Sequence, residues 1–330
     1  MPSSASLPLA LAAPRSTGEV ISDAMDALRR SFKVVFVLAV PFCAVDLVLR
    51  EFGQALFAQV ATRAGAAGGD LSVLVTGLTT LLASLGAALG AFIVQQLLSA
   101  GVIAVGTQLV GGDAPSVGRA LRTIGERGAA LVFTALLFMT LVFSLPIVFM
   151  TGSLGVSIAL SSAFEMPMLA FACIAVGIII PLVGFIFMTL RWSLYSVVVV
   201  TEERSLWNAL ARSAELTASR GLPFIETPRF RLSVIFLIGL ALSGVLQSLF
   251  VVPRLGISIA MGWSMADGAL PGLATLPVWF MVPFGLVEVV TNAAVVPFSA
   301  FLLFFFTLDL RVRYEGVDID AGRRDAQKPT

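Results

Sequence analysis

Residues 168–190 read MLAFACIAVGIIIPLVGFIFMTL. No charge interrupts the run, and as a helix rising 1.5 Å per residue it is long enough to cross the roughly 30 Å of hydrocarbon in a bilayer. Five more segments meet the same test: 32–49, 71–105, 129–150, 232–252 and 276–308. The whole chain is 58% hydrophobic and 12% charged, with a mean hydropathy of +0.98, which is more apolar surface than 330 residues can bury in water. The expected fold is therefore all-α, a polytopic bundle of six transmembrane helices with the lipid bilayer as its solvent.

The second and sixth segments are long enough to raise the question of two spans each. The positive-inside rule decides it. With six spans and both termini in the cytoplasm, every basic residue except Arg50, Arg63 and Arg254 falls inside. Splitting either long segment strands more of them outside. The expected location is the inner membrane of a bacterium, since only Lys33 and Lys328 of the 21 basic residues are lysine, the bias of a GC-rich genome. Residues 1–16 and 321–330 read as disordered cytoplasmic tails, and 17–320 as the membrane domain.

Ahead of each odd-numbered span lies an amphipathic pattern. At 100° per residue, Val20, Ala24, Met25 and Leu28 fall opposite Glu19, Asp23, Asp26 and Arg30. Val117, Leu121 and Ile124 oppose Arg119, Arg122 and Glu126 in the same way. So do Leu206, Trp207, Leu210 and Ala214 against Asn208, Arg212, Glu215 and Ser219. Three interfacial helices are expected, each leading into a two-span hairpin, and Ser116, Ala120, Leu121 and Glu126 align with Ser205, Ala209, Leu210 and Glu215 as a repeat would.

Several chemistries are excluded or unsupported. Histidine is absent, which removes Ser-His-Asp and Cys-His catalysis. Cys43 and Cys173 both lie in apolar stretches and read as packing residues. No phosphate-binding loop, dinucleotide fingerprint or metal motif is present, so neither cofactor nor metal is expected, and the charge of +1 supports no nucleic-acid partner.

Polar residues inside spans are costly, so each is a candidate for function. They are Asp46, Gln95, Gln96, Gln247, Glu288, Thr291 and Asn292. Glu288, Thr291 and Asn292 share one face near the middle of the sixth span, bracketed by Pro283 and Pro297 as two expected kinks. This face reads either as a proton or cation site, or as structural glue in which Glu288 is neutral or bonded to a glutamine of another helix. Gly86 and Gly90 form a small-xxx-small pair expected to admit a neighbouring backbone. At the inner boundary, Arg191 and Trp192 end the fourth span as a snorkelling cation and an aromatic anchor.

The cytoplasmic ends resemble a bacterial family, the six-helix membrane domain found fused to glycerophosphodiester phosphodiesterases and also standing alone. The resemblance rests on Gly18-Glu19-Val20-Ile21, Arg191-Trp192-Ser193-Leu194, Ala209-Leu210 with Arg212-Ser213 and Leu216-Thr217, and Asp309-Leu310-Arg311-Val312-Arg313-Tyr314-Glu315-Gly316-Val317-Asp318. Two features depart from it. Gly221-Leu222-Pro223-Phe224 and Glu226-Thr227-Pro228 stand where an aromatic-basic stretch is usual, and the catalytic acids and histidines of the hydrolase are missing. The resemblance thus implies a six-span module without hydrolase activity, and it marks Arg191, Trp192, Arg212, Asp309, Arg311, Arg313 and Glu315 as an interface motif. Two functions stand open: a non-enzymatic scaffold, sensor or regulatory module with a cytoplasmic protein partner, or a transporter or channel for a small or lipid-like solute.

Overall fold

The computed structural model describes residues 14–66, 71–162, 167–202, 206–218, 223–260 and 278–315. Among them the chain is almost entirely helical, with no strand. The helices are α1 (Thr17–Ala66), α2 (Leu71–Val110), α3 (Val117–Ser162), α4 (Pro167–Trp192), α5 (Tyr195–Glu202), α6 (Leu206–Leu216), α7 (Pro228–Ala260) and α8 (Val278–Glu315). A short 3-10 turn, Phe224–Glu226, precedes α7. Six helices are long and apolar enough to cross a membrane: α1, α2, α3, α4 running on into α5, α7 and α8. Residues 71–110 and 278–315 each form one helix, so the two long segments stay whole. The helices also run unbroken through Pro41, Pro146, Pro181, Pro253, Pro283 and Pro297.

The first two amphipathic patterns are not separate helices. They are the opening turns of α1 and α3, continuous with the remainder of each helix. In α1 the expected face is buried at Val20 and Ala24, while Glu19 and Arg30 are exposed. In α3 Ala120 is buried but Leu121 lies 48% exposed beside Arg119 and Arg122. Only α6 stands alone, and its apolar arc is divided between a buried and an exposed part. Ala209, Leu210, Ser213 and Leu216 are buried, whereas Leu206 and Trp207 are exposed. The tails 1–13 and 321–330, together with Ser205, Ser219, Gly221, Leu222 and Gly316 to Asp318, lie outside the described residues.

Backbone contacts group the chain into two units. Among the described residues, one is built from Gly18–Glu126 with Phe236–Phe305, the other from Arg127–Ile235 with residues 306–315 and 14–17.

In the first unit the turn from α2 to α3 is written locally. Gly112 adopts the left-handed backbone (φ 77°) that ends helices, and its N–H donates to the Leu109 carbonyl at 3.1 Å. Ser116, just before α3, donates its N–H to Gln108 Oε1 at 2.8 Å, and Asp113 pairs with Arg119 at 2.7 Å. The close approaches fall elsewhere on α2 than expected. A Cβ on Gly86 would meet nothing within 4 Å, and one on Gly90 only the Leu49 side chain. At Gly101 it would lie 2.8 Å from Leu38 and 2.9 Å from Ile124, and at Gly106 2.9 Å from the Phe304 ring. Those two glycines let α1, α3 and α8 close on α2, around a buried cluster that includes Leu38, Ile103, Phe301 and Phe304.

In the second unit α4 and α5 are separated by a two-residue break at Ser193 and Leu194. Such a break orphans the last carbonyls of one helix and the first N–H groups of the next. Helix α6 and the residue that follows it satisfy both. Ser213 accepts the Leu194 N–H at 3.1 Å and donates to the Arg191 carbonyl at 3.2 Å, and Thr217 donates to the same carbonyl at 3.0 Å. Ser213, Thr217 and Leu194 are fully buried, so water cannot substitute.

Candidate functional site

Asp46 and Arg50 stand one helical turn apart on α1, the spacing at which opposite charges meet. Arg50 reaches Asp46 through two nitrogens at 2.9 Å each. The other oxygen of Asp46 accepts from Gln95 of α2 at 3.1 Å. The same arginine lies 3.2 Å from Glu288 of α8. One guanidinium therefore serves two carboxylates, and with Gln95 it joins three helices of the first unit. The Asp46 side chain is 5% exposed and that of Glu288 19%, so both charges are largely withdrawn from solvent. Beside Arg50, Glu51 pairs with Arg254 of α7 at 3.4 Å.

This corrects the partner expected for Glu288. Its partner is the cation Arg50, and the glutamine Gln95 goes to Asp46. Asp46 and Glu288 meet on one side chain. Thr291 and Asn292 are half-buried on α8, and among the described residues neither hydrogen-bonds to the cluster. Gln96 is half-buried next to Gln95, and Gln247 is exposed on α7. Sequence reasoning misses Arg50 as a site residue because it treats it only as an outside charge, although its i, i+4 relation to Asp46 is plain in the sequence.

The second unit holds a larger network around Asp309 of α8, whose side chain is fully buried. Its carboxylate accepts from Arg231 at 2.8 Å, from Arg313 at 3.0 Å and from the backbone N–H of Arg15 at 2.6 Å. Arg231 and Arg313 also donate to the Arg15 carbonyl, and Arg231 to the Thr17 hydroxyl. Arg15 is thus bound into the motif although the sequence assigns it to a loose tail. Arg231 further sits over the Phe306 ring, 5.5 Å from its centroid.

The neighbouring acid Glu202, at the end of α5, pairs with Arg212 at 3.1 Å and lies 3.9 Å from Arg311. Arg212 reaches on to Glu215. Arg191 is exposed and Trp192 half-buried at the end of α4. Helix α8 ends at Glu315, whose side chain lies outside the described residues. Arg231, Glu202, Ser213 and Thr217 complete the network; of these only Ser213 and Thr217 fall within the quoted motifs.

Among the described residues no group of three or more acidic or cysteine side chains is placed to hold a metal ion. Both cysteines are free, Cys43 buried and Cys173 half-buried. Comparison with known protein families, curated proteins and solved structures finds no match.

Proposed function

We propose that the chain is a non-enzymatic integral membrane module with six spans and both termini in the cytoplasm, presenting the Asp309 network and α6 to a cytoplasmic protein partner. The observation that carries this reading is the pairing of Arg50 with both Asp46 and Glu288. The two acids best placed to bind a coupling ion are held by an internal cation that ties three helices. Spacing along single helices supports the spans. Glu288 and Asp309 on α8 are 21 residues apart, and Arg231 and Arg254 on α7 are 23 apart, with no charge between either pair. At 1.5 Å per residue each gap is about 30–35 Å, the thickness of a hydrocarbon core, so the charges bounding each gap fall at the membrane boundaries, and Glu288 belongs at the outer boundary instead of the mid-span position expected from the sequence. Arg311 and Arg313 follow Asp309 on α8, and Arg229 and Arg231 open α7, so the positive-inside rule favours those helix ends as the cytoplasmic ones. The opening turns of α1 and α3, with α6, then lie at the inner surface, and the resemblance to the six-helix membrane domain agrees with this arrangement.

A second reading has one observation behind it. Two carboxylates on one guanidinium leave an excess negative charge, which a proton or cation could balance during transport. Uptake of protons or monovalent cations by proteoliposomes separates the two. The scaffold reading expects no flux above protein-free vesicles and no change in Glu288→Gln. Flux in the parent protein that the folded Glu288→Gln variant loses would replace it with the transporter.

A further inference from the structure

Most arginines at the α8 end of the second unit meet a carboxylate. Two do not. Among the described residues neither Arg191 nor Arg229 forms an ion pair, and they are neighbours. Arg229, in the first turn of α7, lays its guanidinium over the Phe187 ring of α4, 4.6 Å from the centroid. Arg191 is four residues beyond Phe187 and so occupies the same face of α4 one turn on. Arg229 is partly desolvated and feels the positive charge of Arg191. Its Nε is shielded from solvent and has no hydrogen-bond partner. Glu226, the acid closest to Arg229 in the chain, is exposed and pairs with neither arginine.

One arginine stacked on Phe187 and a second one helical turn beyond that ring, with a shielded donor unspent, form an incomplete site. An anion completes it. The start of α7 adds to the preference: Thr227 caps it by accepting the Phe230 N–H at 3.3 Å, Pro228 opens the helix, and the positive end of its dipole lies beside Arg229. Two guanidinium forks suit a phosphate, whose several oxygens can each accept from one fork. The lipid-facing character of the site comes from Phe187, 44% exposed, and from Ile186 and Val183 at 50% and 61% on the same helix.

The geometry points to a phosphate-binding site formed by Arg191 and Arg229 at the junction of α4 and α7, filled by the headgroup phosphate of an anionic phospholipid lying against Phe187. The placement of this junction at the membrane boundary rests on the six-span reading above; the two arginines and their unfilled donor do not. The site selects phosphate through paired guanidinium groups and holds an acyl chain against the exposed apolar face of α4.

The test uses the full-length protein in detergent micelles, with native mass spectrometry and thermal unfolding as readouts. The probes are phosphatidylglycerol, phosphatidylcholine and inorganic phosphate. Phosphatidylglycerol is expected to be retained and to raise the unfolding temperature saturably, with phosphatidylcholine at least tenfold weaker. Retention should fall at least tenfold in Arg191→Gln/Arg229→Gln and partly recover in Arg191→Lys/Arg229→Lys, a second variant that covers misfolding of the first. Arg119→Gln, at an arginine already paired with Asp113, should match the parent. Saturable protection by inorganic phosphate alone, lost in the same double variant, would keep the site and make its source a soluble phosphate. Equal retention of the two lipids without protection by phosphate, or undiminished phosphatidylglycerol binding in both double variants, would overturn the proposal. Neither result depends on whether the protein transports a solute.

Discussion

Arg50 and Glu288 stand 3.2 Å apart, although 238 positions separate them in the chain and nothing in either segment names the other. The pair is unequal in its commitments. Arg50 also carries Asp46, so its loss strands two acids, whereas loss of Glu288 leaves Arg50 with Asp46.

That asymmetry makes the first prediction. Removing the only cation of a buried cluster costs about 3–5 kcal/mol, and removing one of two acceptors about 1 kcal/mol. Arg50→Gln should lower resistance to unfolding far more than Glu288→Gln. Unfolding in mixed micelles followed by circular dichroism measures both. Equal losses would show that Arg50 does not bridge the acids.

Gly106 gives a prediction on packing. A valine there drives a branched side chain into Phe304, and overpacking of this kind costs about 1–3 kcal/mol. Gly86→Ala enters open space and should be neutral, or stabilising by up to about 1 kcal/mol through helix propensity. Comparing the thermal midpoints of the two variants checks the order.

The contrast between these glycines shows what the sequence could and could not convey. The six spans were legible because hydrophobic length is a local property that lipid imposes on each segment separately. Packing partners were not, because Gly86, Gly90, Gly101 and Gly106 look alike until Phe304 and Leu38 are placed against two of them. Arg191 and Trp192 marked the end of α4, but nothing local showed that the apolar run Tyr195 to Thr201 resumes as a second helix behind a two-residue break. The motif residues Arg191, Ser213 and Thr217 could be named beforehand, but their shared hydrogen bonds arise only from the fold. Asp46 with Arg50 was readable at i, i+4; Glu288 joining them was not.

Ser213 supplies the third prediction, because its hydroxyl serves both sides of the break. Ser213→Ala leaves the buried Leu194 N–H without its acceptor, a loss of about 1–3 kcal/mol. Thr217→Val removes one of two donors to the Arg191 carbonyl and leaves Ser213 in place, so it should cost less, about 1 kcal/mol. Hydrogen exchange at Leu194 reads the difference directly. Protection should drop in the alanine variant and persist in the valine variant. Persistent protection at Leu194 in both would remove Ser213 from its assigned role.

Asp309 and Arg311 lie two residues apart in the same motif, yet the structure assigns them unequal weight. Asp309 is fully buried and gathers Arg231, Arg313 and the Arg15 N–H, so Asp309→Asn removes the only negative charge between two arginines. Uncompensated burial of charge on this scale costs about 3–5 kcal/mol. Arg311 lies 3.9 Å from Glu202, and Glu202 keeps Arg212 when it is gone. Arg311→Gln should therefore cost less than about 1 kcal/mol, the range of partly exposed ion pairs. Limited proteolysis adds a local readout, because Arg15 is tied down through Asp309. Cleavage near Arg15 should accelerate in Asp309→Asn and stay at the parent rate in Arg311→Gln. Asp309→Glu, which keeps the charge but lengthens the side chain, should fall between them. If Arg311→Gln proves as damaging as Asp309→Asn, the network is not centred on Asp309, and the motif acts through Glu202 instead.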